Sequence, residues 1–147
     1  MDIRIATEDD RQAILACVED AYGMYIDRIG KKPAPMLADY SERISKSLVY
    51  VATDKEQIQG LIVLLLKGNY VLIENVAVCN LFQGQGIGRG LIEFAFMSAE
   101  EAGLQEVRLY TNELMSENLL YYAKFGFIEL NRVTENGYRR VYMSKSL

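Results

Sequence analysis

The stretch "LFQGQGIGRGLI" occupies residues 81–92 and places glycine at every second position from Gly84 to Gly90. It follows the apolar run "YVLIENVAV" (70–78) and opens another apolar stretch that runs to Ala102, just before Gly103. A strand, a glycine turn and a helix are expected in that order. Glycines at a helix start leave backbone N–H groups uncovered by side chains. The helix dipole adds about half a positive charge there, so the turn suits an anion, above all a phosphate. A bare strand-to-helix turn with glycines kept for packing is the simpler alternative, but four glycines exceed what such a turn needs.

Working outward from this stretch, "IRIA" (3–6) reads as a first strand. Thr7 and Asp10 pair at the start of a helix carrying Ile14, Val18, Ala21 and Tyr25 on one face. Pro33 and Pro35 mark a loop. Pro35 suits the first turn of a second helix, in which Met36, Tyr40 and Ile44 recur every four residues. "LVYVAT" and "GLIVLLLK" read as strands, the second buried on both faces, and Gly68-Asn69 turns the chain into "YVLIENVAV". Beyond the glycine helix come a strand "EVRLYT", a short helix "ENLLYYAKF", and a strand pair "GFIELNRV" and "RRVYMS" around Asn136-Gly137. The order β-α-α-β-β-β-α-β-α-β-β is α/β in content and implies a mixed, mostly antiparallel sheet flanked by helices. Residues 1–147 read as one domain, with no internal repeat or linker.

Composition narrows the chemistry. The 147 residues are 50% hydrophobic and 24% charged, with a formal net charge of −4. This is the range of a globular domain with a packed core. Histidine is absent. Ser-His-Asp and Cys-His catalysis are thereby excluded, and a catalytic zinc site is disfavoured. Cys17 and Cys79 have no metal-ligand spacing and read as reduced thiols of a cytoplasmic protein. Basic residues cluster only at Lys31-Lys32 and Arg139-Arg140, which disfavours nucleic-acid binding. An acidic surface instead suits a cationic partner such as an amine. The most apolar run, 61–66, is far short of the ~20 residues that span a bilayer, so no membrane partner is expected.

The glycine spacing discriminates between phosphate motifs. A dinucleotide fingerprint requires G-x-G-x-x-G; from Gly84 the third position is Arg89 and from Gly86 it is Leu91. A P-loop requires Gly-Lys-Ser/Thr, which is missing. What stands is Gln83-x-x-Gly86-x-Gly88 after a strand and opening a helix. In this the chain resembles the GCN5-related N-acetyltransferase (GNAT) superfamily, whose signature is Q/R-x-x-G-x-G/A. "YAKFGF" adds the family's Y-x-x-x-G-F as Tyr122, Gly126 and Phe127, and the element order matches along essentially the whole chain.

The resemblance implies acetyl transfer from acetyl-CoA to a primary amine by direct attack on the thioester. Residues Gln83, Gly84, Gln85, Gly86, Ile87, Gly88, Arg89 and Gly90 would hold the pyrophosphate of coenzyme A. The pantetheine arm would lie along Val76, Ala77 and Val78, with a free N–H near Val76 polarising the thioester carbonyl. Asn118 sits where a family asparagine contacts the arm. Tyr122 is the candidate acid for the leaving thiolate, chosen over Tyr121 by its spacing to Gly126-Phe127. Glu74 is the candidate base; strict alternation puts it on the face of Val76 and Val78. A strand-end carboxylate paired with an arginine is the competing reading of Glu74, and a water chain without a dedicated base is the competing mechanism. The acceptor pocket would draw on Tyr22, Tyr25, Met36, Asp39, Tyr40 and Tyr138, aromatics and an aspartate suited to a cationic amine. Helical core packing is the alternative for the same residues. A non-catalytic acyl-CoA-binding sensor would keep Gln83 to Gly90 and need neither Tyr122 nor Glu74. The family is often dimeric, so a homodimer is compatible, though no interface stripe shows in the sequence.

Overall fold

The computed structural model describes residues 1–147. Seven strands form one sheet in the order β1-β2-β3-β4-β5-β7-β6. They are β1 (Asp2–Ile5), β2 (Val49–Asp54), β3 (Gln57–Leu66), β4 (Val71–Val78), β5 (Glu106–Asn112), β6 (Ile128–Glu135) and β7 (Tyr138–Ser146). The helices are α1 (Arg11–Tyr22), α2 (Ile26–Ile29), α3 (Tyr40–Ser45), α4 (Ile87–Glu101) and α5 (Ser116–Ala123). All pairings are antiparallel except β4 with β5. The expected order of elements is observed with one addition, the short helix α2 between the two expected N-terminal helices.

Alternation along the strands divides the core into two layers. Leu61 and Val63 of β3 join Val49 and Val51 of β2 beneath α1 and α3, where Ile14, Val18 and Ile44 pack. Ile62 and Leu64 face the other way, with Val107, Leu109, Val141 and Met143, onto α4. Helix α4 buries Ile87, Leu91, Ile92, Ala95 and Ala99, a stripe of helical period, against that face. Each fully buried Leu or Ile contributes about 1.5–3 kcal/mol of transfer free energy. β3 is thus buried on both faces, as its continuous apolar run implies.

The N-terminal helical region departs from the expected pattern. Arg4 and the backbone N–H of Thr7 both bond to the Asp10 carboxylate, which anchors the start of α1. The single helix expected from Pro35 through Ile44 is broken into a 3₁₀ turn over Ala34–Leu37 and α3. The break lies at Ala38 and Asp39, both in extended backbone, and the Asp39 carboxylate then accepts the Glu42 N–H as the cap of α3.

Two irregularities create the site. β4 and β5 pair only over Val71–Ile73 with Val107–Leu109 and diverge beyond, opening a cleft between their C-terminal halves. β4 also carries a bulge. Val63 pairs with Asn75 but Leu64 with Ile73, so Glu74 is an extra residue opposite β3. Ile73, Val76 and Val78 face the α4 layer, whereas Ala77 joins the α1/α3 layer, and Glu74 and Asn75 contact α1 and α3. The expectation that Glu74 shares a face with Val76 and Val78 is therefore corrected: the bulge inserts one residue and breaks the alternation on which it rested.

Candidate active site

The glycine turn is built by local hydrogen bonds. Cys79 leads into a 3₁₀ turn over Asn80–Phe82. Asn80 is held by Asp20 of α1, its N–H donating at 2.6 Å and its Nδ2 at 3.0 Å to the carboxylate. Gln83 donates through Nε2 to Asn80 Oδ1 (3.0 Å) and to the Val78 carbonyl (3.3 Å). Its side chain thus braces the turn. Gly84 (φ +79°) and Gly86 (φ +83°) adopt left-handed backbone, and α4 begins at Ile87. The N–H groups of residues 84–89 have no acceptor in the chain; the helical ladder starts with Gly90 N–H to Gly86 C=O at 3.0 Å.

A Cβ at Gly84 or Gly86 would meet nothing within 4 Å, so these glycines serve the left-handed turn. At Gly88 a Cβ would lie 2.6 Å from the Tyr121 hydroxyl, and at Gly90 it would run into Met1 Cε. Tyr121 thus covers the first turn of α4. Arg89 is exposed, 4.0 Å from Glu93 and with its guanidinium 5.4 Å from the Phe125 ring centre. Ile87 is a core residue and offers the turn only its N–H.

Cys79 N–H donates to Gln59 C=O at 2.9 Å, which sets the phase of the β3–β4 ladder. By alternation Ala77 and Asn75 direct their backbone groups at β3, while Val76 and Val78 direct theirs into the diverging cleft. The free carbonyls agree: Val76 accepts from Tyr22 and Val78 from Gln83. By the same alternation Val76 presents its N–H to the cleft. Ala77 does not: its backbone is used by β3 and its side chain lies in the opposite core layer.

The other wall comes from α5. Asn118 and Tyr122, one turn apart, both line the cleft. Asn118 donates to Thr111 Oγ1 at 3.2 Å. Gly126 (φ +96°) ends the helical region in left-handed backbone, and the chain turns back so that Phe127 packs edge-on against the Tyr122 ring, centroids 6.1 Å apart. That is the physical content of the Y-x-x-x-G-F spacing. Tyr122 is 8% exposed, lines the cleft and makes no hydroxyl hydrogen bond within the chain. Burial, reinforced by Tyr121 and Tyr25, pushes its phenol well above the usual tyrosine range, so it is a proton donor across neutral pH. The structure separates the two tyrosines: Tyr122 faces the cleft, Tyr121 the glycine turn.

The cleft continues into a neighbouring hollow between the 33–38 loop and β7. Glu74 lies on both walls and is held by Arg43 of α3, Nε to Oε1 at 2.8 Å and Nη2 to Oε2 at 3.1 Å. The arginine partner weighed against a free base is present. Tyr22 donates to Asn75 Oδ1 at 2.5 Å, and Asn75 Nδ2 donates to the Tyr40 hydroxyl at 2.9 Å, which in turn donates to the Pro35 carbonyl at 2.6 Å. Tyr138 donates to the Lys32 carbonyl and lines both hollows.

Of the expected acceptor residues, Tyr22, Tyr40 and Tyr138 thus reach the cleft or its extension. Tyr25, Met36 and Asp39 do not. Tyr25 lies against Arg28, Met36 packs into the α1/α3 core, and Asp39 is engaged as a helix cap. The sequence reading missed Arg43, Asn75, Tyr110 and Arg140, all cleft residues. Asn75 was open to detection as a polar residue in an apolar strand; the others depend on long-range contacts.

The acetyltransferase (GNAT) domain family matches residues 45–129, more than half of the chain. No curated protein matches by sequence. Among solved structures the fold is similar to PaiA N-acetyltransferase from Thermoplasma acidophilum in complex with coenzyme A, with TM-score 0.77, 19% identity, and coverage of 99% of this chain and 98% of that one. It is also similar to ribosomal-protein-alanine N-acetyltransferase from Brucella melitensis, with TM-score 0.73, 22% identity and 100% coverage of both chains. A nourseothricin acetyltransferase matches over 67% of this chain and 64% of its own, with TM-score 0.62 and 23% identity. With the glycine turn, the divergent strands and the family match together, the chain belongs to the GNAT acetyltransferase family.

Proposed function

We propose that this chain transfers the acetyl group of acetyl-CoA to a primary amine. The observation that carries the reading is the row of unpaired N–H groups at 84–89, opening onto the same strand whose free edge at Val76 lies in a cleft with the Tyr122 hydroxyl. The donor set fits a pyrophosphate: backbone N–H groups at a helix N-terminus, with Arg89 nearby. Acetyl-CoA supplies a thioester carbonyl carbon to which the neutral amine adds, the C–N bond forming as the C–S bond breaks. The Val76 N–H polarises the carbonyl and stabilises the oxyanion. Tyr122 gives its phenolic proton to the departing sulfur and is restored by the proton that the nitrogen loses as the amide forms; the raised phenol is a weaker acid than a thiol, so the transfer is carried by the coupled C–N bond formation. Glu74, oriented by Arg43, keeps a second lone pair on each oxygen and takes the ammonium proton through a water.

The test is thermal unfolding with saturating acetyl-CoA beside NAD and ATP. Ligand at ~100 times its dissociation constant adds about 2.7 kcal/mol, a shift of several degrees. A shift with acetyl-CoA alone, followed by thiol release on adding an amine, is expected. Binding without release for any amine would leave an acyl-CoA-binding module, and no shift would remove the glycine turn as a coenzyme site.

A further inference from the structure

One cation in the cleft is not forked onto a carboxylate. Arg140 of β7 lies opposite Asn112 of β5 and lays its guanidinium over the Tyr110 ring, 4.3 Å from the centroid. Its side chain is 14% exposed, and its one ion pair, to Glu135, is longer than a hydrogen bond. The nearest carboxylate oxygen, Glu135 Oε1, stands 3.6 Å away and already accepts the Tyr142 hydroxyl. Other arginines of the chain are forked onto carboxylates: Arg4 on Asp10, Arg43 on Glu74, Arg108 on Glu106 and Arg132 on Glu129. A guanidinium paired only at that distance, and not forked onto a carboxylate, keeps N–H donors free for a ligand's oxygens.

Position and local charge say which ligand. Arg140 lines the same cleft as Val76 and Tyr122, so whatever it binds lies beside the reacting centre. The Arg43–Glu74 pair is neutral as a unit, and Glu135 is 40% exposed and screened by solvent. The charged residues that line the two hollows are Arg43, Arg140 and Glu74, an excess of one positive charge in a chain of net charge −4. A planar fork of N–H donors matches a carboxylate in geometry as well as charge.

Resting on the acetyl-transfer reading above, we propose that the acceptor is an amine that also bears a carboxylate, and that Arg140 binds that carboxylate and sets the specificity. This replaces the expectation of a purely cationic acceptor drawn in by Asp39, whose carboxylate is spent on capping α3.

The experiment uses matched acceptors: glycine, β-alanine, γ-aminobutyrate and δ-aminovalerate, each beside its primary amide. Thiol release gives kcat/KM. Calorimetry with the CoA-saturated protein gives the affinity of the corresponding N-acetyl acids and N-acetyl amides, a readout independent of amine basicity and of turnover. At one or more lengths the acid form is expected to be favoured by ~10-fold or more in both readouts, equivalent to about 1.4 kcal/mol. Arg140→Gln should collapse that preference and Arg140→Lys restore part of it, with the acetyl-CoA thermal shift reporting that each variant is folded. Equal or better performance of the amides at every length overturns the proposal. So does a preference that survives in Arg140→Gln, or a failure of every acid form to bind or react. Preferential acid binding without turnover for any acceptor supports the Arg140 site and overturns the transfer reading instead.

Discussion

The Tyr22 hydroxyl donates to Oδ1 of Asn75 at 2.5 Å, across 53 residues of chain. Asn75 passes the connection on through Nδ2 to Tyr40, so a helix, the bulged strand and α3 are joined by one amide. Because the bulge turns Asn75 toward the helices, the next residue, Val76, is free to present its backbone to the cleft. Structure and site share this linkage.

Asn75→Ala is expected to destabilise the fold by about 1–3 kcal/mol, since Tyr22 loses an acceptor and Tyr40 a donor in a buried setting. Urea unfolding measures this. A loss below a few tenths of a kcal/mol would mean that Tyr22 turns wholly to the Val76 carbonyl, 2.9 Å away, without penalty.

Gly86→Val acts through backbone conformation. The position has φ +83° and open space around its Cβ, so the steric term is the left-handed backbone, about 1–2 kcal/mol for an L-residue. A branched side chain there also stands beside the unpaired N–H groups. Acetyl-CoA affinity should fall by ~10-fold or more, read by calorimetry. Unchanged affinity would falsify the phosphate-cradle assignment.

Tyr122→Phe and Glu74→Gln separate the two proton transfers. Each should lower kcat by ~100-fold while the acetyl-CoA thermal shift persists, because neither group belongs to the glycine turn. Full turnover in Tyr122→Phe removes it as the acid. If Arg43→Gln reproduces the Glu74→Gln loss, the ion pair positions the carboxylate; if Arg43→Gln retains activity, Glu74 acts without it.

Alkaline pH should destabilise the chain. Burial raises the phenols of Tyr22, Tyr40 and Tyr122 above their unfolded values. Above pH ~10 the unfolded chain releases protons that the folded chain retains, so unfolding is favoured by about 1.4 kcal/mol per pH unit for each such tyrosine. The contribution is complete below pH 10 and is lost as pH climbs toward the raised folded values. Denaturant midpoints measured at rising pH with tyrosine absorbance test this; phenols titrating freely near pH 10 in the folded protein would refute it.

Legibility in the sequence follows the range of the interaction. The glycine turn and Y-x-x-x-G-F were readable because their causes are local: left-handed φ at Gly84, Gly86 and Gly126, orphan N–H groups at a helix start, and an aromatic pair five residues apart. Strand and helix order was readable from the apolar period for the same reason. The sequence by itself determined the succession of strands, the glycine turn and the spacing that sets Tyr122 against Phe127. Tertiary structure alone decided which way Glu74 faces, because one bulged residue in the β3–β4 register reverses the alternation. It alone paired Glu74 with Arg43, used Asp39 as a cap, and set Arg140 in the cleft with no carboxylate within hydrogen-bond distance. Charges find their partners through space, and a one-residue bulge in a ladder leaves no trace in an apolar period.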